Sequence, residues 1–260
     1  MKFLLKIVKD FPYYLWSGWG AVASIFLFFA CWDLGHQIYG ELVLPSPLKT
    51  LSTLWDMIHD ENVQIDIKIT LYRACIGFGI SVLFGSILGH IAGLFATASI
   101  MSRPIVTILV GMPPIAWIVL AMIWFGMGDF TVIFTVIIAS FPIVFVGALQ
   151  GTRTLEGDLK EMGKSFKLPL HVKFLDIYFP HIFSYIFPAW VAALGMAWKI
   201  VVMAELLSTS DGIGASLAVA RSHLDTPTAL ALVVIMISSM MFIEYIILEP
   251  IKREVELWRN

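Results

Sequence analysis

Two ionisable side chains lie inside an apolar stretch of the sequence, where a charge needs a partner or water. Lys199 and Glu205 both fall within residues 182–208, a stretch long enough to cross a bilayer. Seven residues separate Trp198 from Glu205, so these two side chains share a helix face. The pair could form one wall of a polar path. Alternatively, Glu205 lies in the last turns and its carboxylate reaches the membrane edge. Both interpretations stay open.

A break in another apolar segment adds to this candidate path. Met112 is followed by Pro113 and Pro114, which have no N–H to donate to the helix ladder. At membrane depth such a break is tolerated where protein or water satisfies the freed carbonyl groups. We expect the break to line a path for solute; a simple helix kink is the alternative. The predicted path residues are Met112, Pro113, Pro114, Trp117, Trp198 and Glu205.

No catalytic or metal-binding motif accompanies these residues. The sequence lacks a Gly-x-x-x-x-Gly-Lys-Ser/Thr phosphate loop, a Gly-x-Ser-x-Gly motif and a His-Glu-x-x-His motif. Its 6 histidines lack the spacing of metal ligands. Cys31 and Cys75 lie in or beside apolar segments, where we expect them to be small buried hydrophobes. We predict that the chain has no catalytic residue and holds no cofactor or metal, so any pumping would need energy from a partner.

The composition is that of a protein with many membrane spans. Hydrophobic residues make up 59% of the chain, charged residues 14%, and the mean hydropathy is +0.87. A chain of 260 residues has room for about six spans of roughly 20 residues. We predict an amphipathic cytoplasmic segment 1–17, one membrane domain 18–249 and a cytoplasmic tail 250–260. The predicted spans are 18–39, 74–98, 104–128, 130–150, 182–208 and 226–248, with a turn at Arg103-Pro104.

Small residues recur at every fourth position of the second predicted span. Such a stripe lets another helix approach backbone to backbone, in a solvent that gives helices no hydrophobic reason to associate. We predict that a second copy of the chain packs partly against this stripe in a homodimer. The stripe consists of Gly77, Ser81, Gly85, Gly89 and Gly93.

Lysine and arginine are distributed unevenly between the two sides that six spans define. Six spans place both termini on one side, and the side richer in these residues is cytoplasmic. The opposite side has Lys49, Lys68 and Arg221, with Arg73 at a boundary. We therefore predict cytoplasmic termini and an external polar segment 41–68. The 12 residues on the side of the termini are Lys2, Lys6, Lys9, Arg103, Arg153, Lys160, Lys164, Lys167, Lys173, Lys252, Arg253 and Arg259.

The longest polar run between apolar segments, residues 153–180, lies on the predicted cytoplasmic side. Its apolar residues fall at steps of four, three and four, which predicts a short amphipathic helix. Leu168-Pro169 ends that helix, because proline displaces its predecessor from the helical region. The helix could dock on a soluble partner or lie on the lipid surface. Its apolar stripe is Leu155, Leu159, Met162 and Phe166.

The spacing within this run resembles the EAA loop of ABC importer permeases: Glu-Ala-Ala, three residues, Gly, nine residues, Ile-x-Leu-Pro. Glu161, Ile177 and Pro180 agree in register. Lys167 stands where the family has a bend glycine, and Pro169 could supply the bend two residues later. The resemblance implies that the run couples the membrane domain to an ATPase. The coupling residues it indicates are Leu159, Lys160, Glu161, Met162, Lys164, Ser165, Phe166 and Pro169.

Further segments resemble the nitrate/sulfonate/taurine group of these permeases. Residues 70–93 are similar to the Thr-x-x-Arg-x-x-x-Gly-Phe segment of that group. Residues 112–129 are similar to its signature that ends in Trp-Phe-Gly-x-Gly. Residues 197–207 and 211–214 are similar to its Trp-x-x-x-x-x-x-Glu and Gly-x-Gly elements. By this resemblance the chain is identified as the permease subunit of a binding-protein-dependent ABC importer.

The resemblance implies an all-α type I permease fold of about six transmembrane helices, with the coupling loop between helices 4 and 5, in the bacterial inner membrane. It implies a second permease copy, two separate ATPase subunits that bind ATP and Mg, an extracytoplasmic solute-binding protein, and contact with lipid but not nucleic acid. The solute would be a sulfonate, a nitrate-like anion or a thiamine-precursor pyrimidine. An ion-coupled secondary carrier and a non-transporting membrane scaffold remain as alternatives.

Overall fold

The chain is described by a computed structural model that covers residues 22–154, 165 and 169–244. These ranges contain helices and connecting turns and no strand. A helical turn at Leu170–Val172 and a π-helical turn at Lys173–Tyr178 lead into the seventh helix. The helices are α1 (Val22–Tyr39), α2 (Pro47–Ile58), α3 (Glu61–Leu94), α4 (Ala96–Gly111), α5 (Pro114–Phe125), α6 (Asp129–Arg153), α7 (Phe179–Ser208), α8 (Ile213–Ser222) and α9 (Thr226–Phe242).

Four helical stretches in the described ranges are long and apolar enough to cross a membrane: α1, α3, α6 and Leu175–Ser208, which includes α7. The pair α4 and α5 adds a fifth if it is counted as one broken span, with a bend of 95° between its halves. α9 is apolar but has only 17 residues. The predicted all-helical membrane architecture is therefore confirmed in coarse outline, and the remainder of the predicted sixth span lies outside the described residues.

α3 begins well before residue 74, where the second span is predicted to start. The helix already begins at Glu61, where the Asp60 side chain accepts a hydrogen bond from the Asn62 N–H at 2.8 Å. Asp60 thus satisfies one of the N–H groups that every helix start leaves free. Residues 61–73 hold all the Asp, Glu, Lys and Arg side chains of α3, and this 34-residue helix is longer than the hydrocarbon layer requires. The hydropathy pattern indicates which residues lie in the bilayer, whereas the capping residue indicates where the helix begins.

The predicted turn at Arg103-Pro104 is wrong. Pro104 lies inside α4, which begins at Ala96. The chain turns instead at Phe95, whose backbone is extended with φ −113° and ψ 118°. A proline removes one bond of the helix ladder, and the turns on either side of Pro104 still hold α4 together. The third apolar segment therefore begins eight residues earlier than the predicted residue 104.

α6 is the central helix of the bundle and packs against α3, α4, α5 and α7. Half of its most apolar 18-residue window is buried within the chain. Val132 and Val136 of α6 join Ile118 of α5 and Val201 of α7 in one apolar core, each with 0% exposure. This core fixes the position of α5 relative to α7, which matters for the broken span described below.

The small-residue stripe of α3 packs against α6 of the same chain. A Cβ added to Gly85 would lie 2.9 Å from the Val144 Cβ, and one added to Gly93 would lie 2.5 Å from the Thr152 Cβ. Ser81 donates to the Ile137 carbonyl at 3.3 Å. The predicted partner, a second copy of the chain, is therefore replaced by α6, because α6 already covers this face. The same holds for Gly77, opposite Val136, and for Gly89, opposite Phe145 and Ala148.

The outer surface of the bundle is apolar, as a lipid-facing surface must be. None of the α1 window is buried against the rest of the described chain. In its second half the Trp32 indole donates to the Pro45 carbonyl at 2.9 Å and joins α1 to the segment before α2. Cys31 and Cys75 are both exposed, which corrects the expectation that they are buried. Their side chains suit lipid as well as a protein core.

Candidate functional site

The guanidinium of Arg73 is buried where α3, α6 and α7 meet. Its Nη1 donates to Glu205 Oε1 at 2.8 Å and to the Asp211 carbonyl at 2.9 Å. Its Nε and Nη2 donate to Asp129 Oδ1 at 2.8 and 2.5 Å. Nη2 also donates to Asp211 Oδ1 at 2.5 Å. An arginine has five N–H groups, and these five bonds use all of them. Arg73 therefore has no donor left for a solute.

Glu205 occupies the interior side of this cluster and is 0% exposed. In addition to Arg73, its carboxylate accepts from the Thr70 hydroxyl at 2.8 Å and from the Gly214 N–H at 3.1 Å. Gly214 lies in the first turn of α8, and the N-terminus of a helix favours a negative charge. Every oxygen of this buried carboxylate thus has a donor, as a charge in a low-dielectric interior requires.

The turn between α7 and α8 is fastened to α3. The Gly212 N–H donates to Asp66 Oδ1 at 2.9 Å, and the Ser216 hydroxyl donates to the other oxygen of Asp66. Gly212 has φ +96°, a conformation in which side chains are strained, and a Cβ there would lie 2.5 Å from the Glu205 carboxyl carbon. A glycine is required at this position for both reasons. The turn places Asp211 within reach of Arg73.

The cluster carries more negative than positive charge. Arg73 faces Glu205, Asp129 and Asp211, and the last two have side chains that are 61% and 52% exposed. They border an open pocket of ≈ 440 Å³ formed by Met127–Asp129 and Ser208–Asp211. An anion would be repelled from this pocket, so the cluster joins helices and does not bind an anionic solute. Within the described ranges, no group of three His, Cys, Asp or Glu side chains is arranged to hold a metal ion.

The broken span forms a second feature at the junction of α4 and α5. Met112 ends α4 with extended backbone, φ −79° and ψ 132°, and Pro113 precedes α5. A cavity of ≈ 160 Å³ lies beside the break, bordered by Met112, Pro114 and Trp117 and by Met196 of α7. The Trp117 indole N–H is buried and has no hydrogen-bond partner in the part of the chain that the structure describes. A buried donor without an acceptor is costly, and Trp117 is one of the residues that border the cavity.

The structure brings together some of the predicted path residues and separates others. Met112, Pro114 and Trp117 border the cavity, and Pro113 lies at the bend with its side chain exposed. Trp198 is 5% exposed and its indole donates to the Met236 carbonyl at 3.1 Å. Together with the full burial of Glu205, this corrects the hypothesis of a wall shared by Trp198 and Glu205. Both side chains serve helix packing because partners on other helices satisfy them.

The predicted coupling residues fall almost entirely outside the described residues. Only Ser165 and Pro169 are described, and both are exposed. The coupling assignment therefore stays a prediction. The residues outside the described ranges are Leu159, Lys160, Glu161, Met162, Lys164 and Phe166.

Sequence reasoning missed the role of Arg73 and of its partners Asp129 and Asp211. One signal was present, because Arg73 lies beside an apolar stretch and a charge there needs an opposite charge. The partners could not be chosen from the sequence, since they lie 56 and 138 residues away along the chain. Glycine at 212 was a further signal of a tight turn beside the cluster.

Comparison with protein families gives one match that covers most of the chain. The family model described as "Binding-protein-dependent transport system inner membrane component" matches residues 81–252. The matched region begins within α3 and includes the broken span, α6, the polar run 153–180 and α7.

Similar curated proteins point to the same group. The chain is 25% identical over 203 residues to the nitrate import permease protein NrtB of Synechococcus elongatus, covering 74% of this chain and 73% of that protein. It is 26% identical over 208 residues to the putative aliphatic sulfonates transport permease protein SsuC of Bacillus subtilis, covering 79% and 75%. It is 28% identical over 189 residues to a probable ABC transporter permease protein of Brucella melitensis, covering 73% and 77%.

Proposed function

Since the chain belongs to the family of binding-protein-dependent transport system inner membrane components, as an ABC importer permease of the nitrate and sulfonate group, we propose that it forms the solute pathway and couples it to separate ATPase subunits. The family consists of non-enzymatic transport subunits, and the apolar helices make this chain a multi-pass inner-membrane protein. The observation that carries the proposal is the family match over residues 81–252, because it includes both the broken span and the polar run.

The proposed partners follow from the family and from the missing phosphate loop. The chain has no Gly-x-x-x-x-Gly-Lys-Ser/Thr motif, so ATP and Mg would be bound by two separate ATPase subunits. An extracytoplasmic binding protein would deliver the solute, as the family description indicates. A second permease copy would complete the pathway. Its contact would involve surfaces other than the α3 stripe, which α6 covers.

The proposed pathway runs beside the break between α4 and α5. The bend of 95° interrupts the helix ladder, and such interruptions in membranes occur where a cavity or protein lies alongside. Met112, Pro113, Pro114 and Trp117 are the residues of the break that we assign to the pathway. Glu205 and Trp198 would hold α7 in place and would not line the pathway. Glu205 is bonded to Arg73, and Trp198 is bonded to the Met236 carbonyl of α9.

The proposed solute class is a small anion such as nitrate or a sulfonate, because the similar proteins NrtB and SsuC are named for those solutes. The proposed orientation has both termini in the cytoplasm, from the lysine and arginine distribution. The polar run 153–180 then faces the ATPase. Leu159, Met162 and Phe166 would form the apolar ridge of its helix, and an apolar ridge contributes more affinity than exposed ion pairs of about 0.2 to 1 kcal/mol each.

The test is copurification of the chain with its ATPase. Replacing Met162 and Phe166 together by aspartate should release the ATPase, because charges cannot be buried in an apolar groove without a partner. Glu161→Ala should weaken solute-stimulated ATP hydrolysis and leave the membrane complex intact. A matched control is Thr154→Asp with His171→Asp, which adds two aspartates at exposed positions on either side of the ridge.

Two outcomes would contradict the proposal. If the Met162→Asp/Phe166→Asp variant still copurifies with the ATPase and keeps solute-stimulated hydrolysis, the run is not the docking site, and its helix lies on the lipid surface instead. If the unmodified chain takes up solute in vesicles without any ATPase and in response to an ion gradient, the chain acts as a secondary carrier.

A further inference from the structure

We propose that α2 lies in the interface between membrane and water, with one side of the helix in contact with lipid. α2 precedes the residues 81–252 that match the family model, and neither the family description nor the names of the similar proteins assign it a role. The proposal depends on the membrane location of the chain and not on its solute or its ATPase.

Ser46 and Pro47 define the start of α2. The Ser46 hydroxyl accepts a hydrogen bond from the Lys49 N–H at 3.2 Å, and Pro47 occupies the first turn, where its missing N–H costs nothing. The Thr50 hydroxyl also donates to the Ser46 carbonyl at 3.2 Å. α2 is therefore a well-capped helix, and the position of each residue determines the side on which it lies.

One side of α2 packs against the bundle. Leu54 and Met57 contact an apolar core that contains Val63 of α3 and Leu232 of α9. Thr50 is fully buried. Because the chain itself occupies this side, no further partner is needed there. The inward residues of α2 are Pro47, Thr50, Leu54 and Met57.

A second apolar stripe on α2 is uncovered. Each of its residues follows an inward residue by one position, so the stripe lies about 100° further round a helix of roughly 3.6 residues per turn. Leu48 is 80% exposed and Trp55 is 68% exposed, so the described residues leave this stripe open. The remaining side is polar and carries the exposed residues Lys49, Ser52 and Asp56. The open stripe consists of Leu48, Leu51, Trp55 and Ile58.

A contact with α1 places the start of α2 beside the spans and not beyond their ends. The Trp32 indole of α1 donates to the Pro45 carbonyl at 2.9 Å, two residues before α2 begins. Trp32 lies seven residues before Tyr39, the last residue of α1, which is about 10 Å along the helix axis at roughly 1.5 Å per residue. The chain therefore turns back after α1, and α2 starts alongside a helix that faces lipid.

The side chains of the open stripe favour lipid over a second helix as its partner. Helices that associate within a membrane present small residues to each other, as α3 does to α6. The α2 stripe has only large apolar side chains, and the amphipathic ring of Trp55 suits the headgroup region. The stripe also continues the lipid-facing surface of α1, whose apolar window is 0% buried.

The polar side of α2 completes the pattern of an interfacial helix. Such a helix buries its apolar side at the boundary of the acyl chains and keeps its polar side in water. Lys49 and Asp56 carry opposite charges on the polar side. We therefore expect the contact with lipid to depend on the apolar stripe and not on the charge of the headgroups.

The test compares the surroundings of nitroxide labels on two sides of α2. The full-length chain, with Cys31→Ser and Cys75→Ser, carries either Leu51→Cys or Ser52→Cys, is spin-labelled and is reconstituted in phosphatidylcholine vesicles. Molecular oxygen concentrates in lipid, whereas the neutral complex nickel–EDDA stays in water. We expect the ratio of collision rates with oxygen and with the nickel complex to be several-fold higher at position 51 than at position 52. Both positions are exposed in the structure, so burial within the chain creates no such difference.

A pair of double variants tests the role of the open stripe. Trp55→Asp with Ile58→Asp should bring a label at Leu48→Cys into contact with the nickel complex, because two charges cannot remain in lipid. The matched control is Lys49→Asp with Ser52→Asp, which adds two aspartates to the polar side and should leave the collision ratio at position 48 unchanged.

Three outcomes would overturn the proposal. Equal ratios at positions 51 and 52 would place the stripe in water. A label at position 51 that meets neither reagent would show that protein, such as a second copy of the chain, covers the stripe. A high ratio that requires phosphatidylglycerol in the vesicles would show that charge and not the apolar stripe holds α2 at the membrane. None of these outcomes alters copurification with the ATPase, which tests the transport function separately.

Discussion

Arg73 of α3 and Glu205 of α7 form a buried ion pair in which Nη1 lies 2.8 Å from Oε1 and the side chains are 2% and 0% exposed. The two residues are 132 positions apart in the sequence. Asp129 at the start of α6 and Asp211 after α7 bind the same guanidinium. A buried ion pair gives little net stability over apolar residues of the same size, but it is costly to break. The cluster therefore specifies how three helix ends and a turn are arranged.

Arg73→Met should destabilise the chain strongly. Methionine preserves much of the side-chain volume, but Glu205 would remain buried without a cation. Removing one partner of a buried pair typically costs about 3 to 5 kcal/mol. The measurement is the thermal unfolding midpoint of the purified chain in detergent. Lys68→Met is the control, since Lys68 is exposed on the same helix and its loss should change the midpoint little.

Adding Glu205→Gln to Arg73→Met should recover part of the lost stability. Glutamine keeps an acceptor for the Thr70 hydroxyl and the Gly214 N–H and removes the uncompensated negative charge. A double variant that is less stable than Arg73→Met alone would show that the uncompensated charge of Glu205 is not the source of the loss.

Gly89→Ala should destabilise the packing of α3 on α6. The new Cβ would lie 2.8 Å from the Ala148 Cβ and would also clash with the Phe145 carbonyl, which belongs to a helix backbone and cannot move freely. Overpacking of this kind typically costs about 1 to 3 kcal/mol. Gly79→Ala on the same helix is the matched control, because a Cβ there has no atom within 4 Å. The unfolding midpoints of the two variants should fall on opposite sides of the unmodified chain, since alanine favours a helix more than glycine does.

A paired substitution at Gly85 tests whether contact with α6 is what excludes larger side chains from this face of α3. Gly85→Ala brings its Cβ to 2.9 Å from both Cγ1 and Cβ of Val144, and Val144→Ala would remove the contact with Cγ1 while keeping the one with Cβ. The double variant should therefore be more stable than Gly85→Ala alone. Equal stability of the two variants would mean that Val144 is not the obstructing residue.

The sequence could indicate those features of the fold that depend on neighbouring residues. The break at Met112 follows from the chemistry of Pro113 and Pro114, and the packing face of α3 follows from small residues at every fourth position. The identity of the helix opposite that face could not be deduced. Val136 and Thr152 of α6 are small or branched residues in an apolar helix, and their local sequence does not indicate that they pack against α3.

The partners within the ionic cluster of the candidate site could not be predicted from the sequence either. A charge beside an apolar segment indicates that a partner exists, but any of several carboxylates could pair with Arg73. The choice depends on the turn at Gly212, which carries Asp211 back towards α3 through φ +96° and the bond to Asp66. That geometry arises only after α3, α7 and α8 have packed. Trp198 was misassigned for the same reason, because its acceptor, Met236, lies on α9.

The proposed orientation predicts which loops react from outside the cell. In the background of Cys31→Ser and Cys75→Ser, Ser52→Cys on α2 should react in intact spheroplasts with a membrane-impermeant maleimide. Thr154→Cys should react only after lysis. Both positions are exposed in the structure, so differences in reaction should report the side of the membrane. The reverse pattern would invert the topology and place the polar run 153–180 outside, where it could not meet an ATPase.

Gly212→Ala should disrupt the turn between α7 and α8 more than backbone strain alone explains. Alanine at φ +96° is strained, and its Cβ would lie 2.5 Å from the carboxyl carbon of Glu205. The change should therefore displace Glu205 from Arg73 and lower the unfolding midpoint. Gly126→Ala is the matched control, since Gly126 has φ +78° but a Cβ there has no atom within 4 Å. Gly126→Ala should lose only the cost of a backbone conformation, φ 78° and ψ −167°, that is essentially restricted to glycine, of order 1 to 3 kcal/mol. If both variants lose the same stability, contact with Glu205 contributes nothing, and the glycine at 212 is needed for its backbone angle only.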